Sequence, residues 1–144
     1  MDKYQKKNNY DTDNKSCQVL SRPSLFETLE AVKKQVDYQD FAEPHPNGKM
    51  RIDPLYDEIC LIIAEVFARP SGRVMRIRGQ EIEAGIVQEV YSKLDHERVE
   101  LVVDNFRKQT HPIRNKSAYL QTALYNCVFE FDAHYANLVK QGMC

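Results

Sequence analysis

Histidine, cysteine and glycine are the residue types from which a small protein could build a metal centre, a nucleophile or a phosphate-binding loop. The sequence has four histidines and four cysteines, and no two of them have the separation of about two to four residues that metal-binding motifs use. Its five glycines are scattered, and neither a Gly-x-Ser-x-Gly nor a His-Glu-x-x-His motif occurs. We therefore expect no catalytic residue, metal, cofactor or small-molecule substrate, and a protein that is not an enzyme.

Arginine and lysine are the chemically active residues that do cluster. Although the net charge is only −1, residues 66–80 and 105–129 contain no acidic residue and carry four positive charges each. Such windows are typical of a local basic surface that could contact nucleic acid or an acidic protein. Basic residues near helix C-termini also complement the helix dipole, so a solvated face is the competing explanation. The candidate contacts are Arg73, Arg76, Arg78, Arg107, Lys108, Arg114 and Lys116.

The elements that position these residues are mainly helices. Ser24 with Glu27, Asp53 with Pro54, and Asp95 each have the types and spacing that begin a helix. A third helix after Gly79 would bury four apolar residues, Ile86, Val87, Val90 and Leu94. Alternation of apolar and basic residues around Arg76 predicts a strand. We expect a mostly α fold, a compact bundle of about five to six helices with one small strand or hairpin near residues 73–82.

The fifth predicted helix follows directly after the second basic window. Asn115 or Ser117 would begin it, and it would end near Asn126, with a last helix opening at Asp132. Its apolar residues are expected in the core, whereas Tyr125 and Asn126 could bond the turn that follows the helix. The residues with a predicted structural role are Asn115, Tyr119, Leu120, Leu124, Tyr125 and Asn126; Arg114 and Lys116, outside the apolar stripe, are predicted to bind a partner.

Composition divides the chain into three parts. Residues 1–23 are polar and without periodicity, which predicts a disordered leader. Residues 24–50 read as a helix plus a linker, and residues 51–144 as a helical domain. The N-terminus lacks the apolar stretch of a signal peptide, and no run of about 18 apolar residues could span a membrane. We expect a cytoplasmic protein that does not contact a membrane.

Several short motifs occur in the order found in a known domain. They include "YDEI" at 56–59, "MRIRG" at 75–79, "RVELVVDNF" at 98–106 and "IRNKSAYLQTALYN" at 113–126. The span from about Val36 to Met143 resembles the C-terminal domain, long of unknown function, of RepA-type replication initiators from Gram-positive plasmids and conjugative elements. More distantly, it is similar to the helical domains of DnaD-type primosome proteins. The most specific motif is Arg-Asn-x-x-x-Tyr-Leu-x-x-x-Leu-Tyr-Asn, and all seven positions are present, from Arg114 to Asn126.

The resemblance implies a function in DNA replication initiation of a plasmid or other mobile element. The domain would be a non-enzymatic accessory that recruits a host replication protein, a helicase loader or a primase. Two alternatives remain open from the residues. One is an autonomous DNA-binding helical module, which the near-zero net charge makes the weaker candidate. The other is an oligomerisation or scaffold module that uses the amphipathic helix at residues 24–36 as its docking element and could form a homo-oligomer.

Overall fold

The computed structural model describes residues 24–140, with side chains up to residue 130, as five α-helices and two small antiparallel hairpins. The helices are α1 (Leu25–Gln35), α2 (Pro54–Phe67), α3 (Ala84–Tyr91), α4 (His96–Arg107) and α5 (Lys116–Lys140). The strands are β1 (Glu43–Pro44), paired with β2 (Met50–Arg51), and β3 (Val74–Ile77), paired with β4 (Gln80–Glu83). The predicted mostly helical fold with a hairpin near residues 73–82 is confirmed. The predicted leader, residues 1–23, lies outside the described residues.

The starts of α1 and α2 follow from their capping residues. The Ser24 hydroxyl accepts a hydrogen bond from the Glu27 amide at 3.1 Å, and the Glu27 carboxylate accepts one from the Ser24 amide at 2.9 Å. At α2, the Asp53 carboxylate accepts from the Leu55 amide at 2.9 Å, and Pro54 occupies the first turn. These bonds satisfy amides that have no partner within the helix, so both predicted starts are confirmed.

Helix α1 packs against α2 and belongs to the same core. Val32 and Val36 are fully buried in that contact. Phe41, in the short 3₁₀ helix after α1, stacks on Tyr56 with 3.9 Å between ring centroids and on His96 with 4.1 Å. One continuous cluster of buried side chains therefore extends across residue 51, where the sequence suggested that the helical domain begins.

The hairpin β3–β4 turns through Arg78 and Gly79, whose φ angles are 55° and 75°. Two consecutive positive φ values are typical of the two-residue turn whose twist suits a hairpin. Arginine is an uncommon residue there, because its Cβ approaches the following carbonyl oxygen. Met75 and Ile77 on the inner face are buried and Arg76 on the outer face is exposed, as the alternating sequence predicts.

Two glutamine side chains hold α3 against its neighbours. Gln88 Nε2 donates hydrogen bonds to two carbonyl oxygens at the C-terminal end of α2, at 3.0 and 2.7 Å. Gln35 Nε2 donates to two carbonyl oxygens at and just after the end of α3, at 3.0 and 2.8 Å. The last carbonyl groups of a helix have no partner within the helix, and these amides add hydrogen bonds at both helix ends that tie α3 to α2 and to α1.

Helix α5 is one uninterrupted helix of 25 residues. The predicted end near Asn126 and the separate helix from Asp132 are wrong, because no glycine or proline in Lys116–Lys140 interrupts the helix. Asn126 therefore lies within a helix, and there is no following turn for its amide to bond. None of the helices in the described part of the chain combines the length and apolar character that crossing a bilayer requires.

Candidate functional site

The seven candidate basic residues belong to two surfaces attached to opposite ends of α2. Arg73 follows the C-terminal end of α2, and Arg76 and Arg78 lie on the hairpin that begins there. The remaining four residues lie near the N-terminal end of α2, on the end of α4 and the start of α5: Arg107, Lys108, Arg114 and Lys116. With 14 residues, α2 is about 20 Å long at 1.5 Å per residue. We therefore treat the two windows as separate surfaces.

The hairpin surface carries little net charge. Arg76 Nη1 lies 3.6 Å from a carboxylate oxygen of Glu81, its partner across the hairpin, and Glu83 follows on the same outer face. Arg73 and Arg78 are exposed and have no carboxylate within 4.0 Å among the described residues. Three cations are thus accompanied by two carboxylates, which leaves one net positive charge on this surface.

Arg107, at the end of α4, ties three elements together. Its Nη2 donates a hydrogen bond to Asp53 at 2.8 Å and lies 3.5 Å from the Glu43 carboxylate. The pKa of Asp53 is lowered, first by the hydrogen bond from the Leu55 amide and then by Arg107. The pKa of Arg107 is raised by its hydrogen bond to Asp53. Both shifts favour the charged pair, so this cation is neutralised within the domain.

Lys116, in the first turn of α5, is also paired. Its Nζ lies 3.0 Å from the Glu58 carboxylate and 5.6 Å from the centre of the Phe106 ring, where a cation–π attraction adds to the ion pair. The Phe106 ring packs at 5.9 Å from that of Tyr119, whose hydroxyl accepts a hydrogen bond from Gln109 at 3.1 Å. These contacts join the end of α4 to the start of α5 and hold both ends of the loop between them.

Lys108 and Arg114 lie in the α4–α5 loop, which we define as residues 108–115. Both are exposed, and neither has a carboxylate within 4.0 Å in the part of the chain that the structure describes. The side chain of Asn115 accepts a hydrogen bond from the Ala118 amide at 3.0 Å, so it caps α5 as predicted, and Arg114 directly precedes this cap. These two side chains are the unneutralised charges of the surface.

An open cleft of about 480 Å³ lies between the starts of α2 and α5 and the end of α4. We call it the α2–α4–α5 cleft. The sequence analysis assigned Asp53 to the start of a helix and did not predict that its carboxylate and the other acidic and aromatic lining residues share a site. Asp53 and Arg107, for instance, are 54 residues apart in the chain. The lining residues are Asp53, Pro54, Leu55, Glu58, Phe106, Arg107 and Lys116.

The motif residues of α5 lie mainly in the core. Leu120 and Leu124 are fully buried, and Tyr125 is 9% exposed. Tyr119 and Asn126 are half-buried and line a smaller cleft of about 190 Å³ between α4 and α5. The motif therefore places apolar side chains in the bundle and begins with a basic residue on the surface.

A model of a protein family of unknown function, DUF6017, matches residues 5–144 of the chain. Neither the curated proteins nor the solved structures contain a match. Within the described residues, no group of three or more His, Cys, Asp or Glu side chains is arranged to hold a metal ion.

Proposed function

The chain belongs to DUF6017, a family of unknown function, and we propose that it is a non-enzymatic accessory domain in replication initiation of a plasmid or other mobile element. In this role it recruits a host replication protein, a helicase loader or a primase, in the cytoplasm. The ordered motifs that resemble RepA-type initiators and, more distantly, DnaD-type primosome proteins support the proposal. The proposal includes the more specific assignment of the chain to the RepA-type initiator domains.

The observation that carries the proposal is the pair of unneutralised cations in the α4–α5 loop. Lys108 and Arg114 are exposed, whereas the neighbouring Arg107 and Lys116 are paired at 2.8 and 3.0 Å. Charges without an intramolecular partner are available to attract and orient an acidic protein. The residues next to them are held by contacts, Arg107 to Asp53, Gln109 to Tyr119 and Lys116 to Glu58, so both ends of the loop that carries the two charges are anchored.

DNA binding is the second candidate, and the hairpin favours it. Arg73 and Arg78 extend into solvent, and Arg78 stands at the tip of a projecting two-residue turn. Duplex DNA carries one negative charge per about 1.7 Å of its axis, so binding normally needs several phosphate contacts. The carboxylates of Glu81 and Glu83 oppose such contacts on this hairpin. Protein recruitment is therefore the stronger proposal.

Isothermal titration calorimetry of the full chain with purified helicase loader and with purified primase tests the proposal. We expect saturable binding to one of them, weakened about tenfold by the double substitution Lys108→Glu/Arg114→Glu, which removes two exposed ion pairs. Arg69→Glu/Lys93→Glu makes the same change of charge at other exposed positions and is the matched control. Absence of binding to both purified proteins would contradict the proposed function.

A further inference from the structure

The α2–α4–α5 cleft combines an apolar floor, fixed charged walls and a free cationic rim. We propose that it binds an acidic peptide segment carrying one bulky apolar side chain. This inference rests on the proposed function, because it names the part of the recruited protein that the domain recognises. Acidic segments with an apolar anchor are recognised by such a combination, since the anchor supplies affinity and the charges supply orientation.

The floor of the cleft is apolar and accessible. Its apolar lining residues are Phe106, which is half-buried, Leu55, which is buried, and Pro54, which is exposed. The cleft is open to solvent, and its volume of about 480 Å³ is within the range of roughly 300–1,000 Å³ reported for ligand-binding clefts and cavities. An aromatic or branched aliphatic side chain entering the cleft would contact Phe106 and leave water.

The charged residues that line the cleft are already paired with one another in the free protein. Arg107 is held by Asp53, and Lys116 by Glu58, at 2.8 and 3.0 Å. A carboxylate of the peptide would have to displace one of these internal partners in order to pair with either cation. The walls therefore set the shape of the cleft and contribute little attraction of their own.

The rim supplies the attraction. Lys108 directly follows Arg107 in the chain, and Arg114 precedes Lys116 by two residues, so the free cations are attached to the same two chain segments that supply the basic lining of the cleft. A peptide whose apolar residue occupies the cleft would place acidic neighbours within reach of this rim. The complementarity is thus between two free cations and one or two peptide carboxylates.

The charge balance favours a peptide over a nucleic acid. Four cations, Arg107, Lys108, Arg114 and Lys116, and the three carboxylates that contact Arg107 and Lys116 sum to one net positive charge. A phosphate backbone would meet Glu43, Asp53 and Glu58 as well as the cations, and its binding depends on many phosphates being neutralised together. A short segment with few carboxylates avoids that repulsion.

Fluorescence anisotropy of the full chain with a labelled peptide of Glu, Ser and Gly around one central Phe tests the inference. We expect saturable binding that weakens about tenfold in Lys108→Glu/Arg114→Glu, because two exposed ion pairs are lost, and stays unchanged in Arg69→Glu/Lys93→Glu. Peptides with Phe→Ala, or with Gln for every Glu, should each bind about tenfold more weakly. These two peptides test the apolar side chain and the acidic charges separately, and they leave the protein and its fold unchanged. Nuclear magnetic resonance shifts should map the peptide to residues 53–58 and 106–116.

Three results would overturn the cleft assignment: no saturable binding, equal binding by all variants, or displacement of the peptide by duplex DNA at the same salt concentration. The outcome is separable from that of the proposed function. Binding of helicase loader or primase that persists in Lys108→Glu/Arg114→Glu would remove the cleft assignment and leave recruitment standing. Peptide binding without any binding to either replication protein would leave the cleft assignment standing and remove the proposed recruitment.

Discussion

Asp53 has two structural tasks that substitution can separate. One carboxylate oxygen accepts a hydrogen bond from the Leu55 amide at 2.9 Å and caps α2, and the other accepts one from Arg107 at 2.8 Å. Asp53→Asn keeps an oxygen for the cap but removes the charge. Asp53→Ala removes both interactions. The two variants therefore divide the contribution of this residue into a cap and an ion pair.

The structure sets the expected size of each effect. Loss of a helix N-cap typically costs about 1 kcal/mol of unfolding free energy. The ion pair contributes less, because the Asp53 and Arg107 side chains are 37% and 40% exposed and solvent screens them. We expect Asp53→Asn to lower the unfolding free energy by about 0.5 kcal/mol, and Asp53→Ala by about 1.5 kcal/mol.

Urea unfolding followed by circular dichroism measures both variants. The carboxylate of Asp40 is exposed and has no ion pair in the described part of the chain, so Asp40→Asn and Asp40→Ala are matched controls with changes below about 0.5 kcal/mol. The pKa of Asp53 is lowered in the folded state from 3.8. The advantage of the wild type over Asp53→Asn is therefore fully present above that value, and it disappears as the pH falls through the lower folded-state pKa.

Equal unfolding free energies for Asp53→Asn and Asp53→Ala would refute the assignment of a cap, since only the alanine variant lacks the accepting oxygen. A wild-type advantage over Asp53→Asn that stays constant below pH 3.8 would refute the contribution of charge.

Three further predictions concern single side chains. Tyr91→Phe removes the buried hydroxyl that donates to the Gln121 carbonyl at 2.7 Å, so urea unfolding should show a loss of about 1 kcal/mol, and an unchanged stability would contradict this. Arg78→Gly removes the steric strain of a side chain at a positive φ of 55° in the hairpin turn. The unfolding free energy from thermal melts should rise by about 1 kcal/mol. A decrease would show that the arginine side chain stabilises the turn. Burial raises the pKa of the Cys60 thiol to about 11 and that of the Cys127 thiol to about 12. Alkylation near pH 8 should therefore spare both cysteines in the native protein and modify both in urea. Peptide mapping that finds either cysteine modified without urea would contradict their burial.

The features of the fold that depend on residues adjacent in the chain were predictable from the sequence. Capping residues marked the starts of α1, α2 and α4, and alternation marked β3, because these signals act within a few residues. The strands β1 and β2 were missed, since two residues each are too short for a period. Ile86 was expected in the core but is 51% exposed, because the buried face of the eight-residue α3 follows Ala84, Val87 and Tyr91 instead.

The arrangement of the candidate site was less accessible to sequence reasoning. The basic windows identified Arg107 and Lys116, but their carboxylate partners are 54 and 58 residues away in the chain. No local pattern reports such a pairing, so the sequence could not distinguish a neutralised cation from a free one. The distinction matters for the proposed function, because within the described residues Lys108 and Arg114 are the cations of this window that have no carboxylate partner.

Hydrogen–deuterium exchange of the full chain, alone and saturated with the helicase loader or primase that it binds, tests the central claim most directly. The account predicts slower amide exchange on binding in residues 106–118 and at the start of α2, since the partner would cover the α4–α5 loop and the cleft. The β3–β4 hairpin should keep its exchange rates. Protection confined to residues 73–83, with the α4–α5 loop unchanged, would contradict the claim.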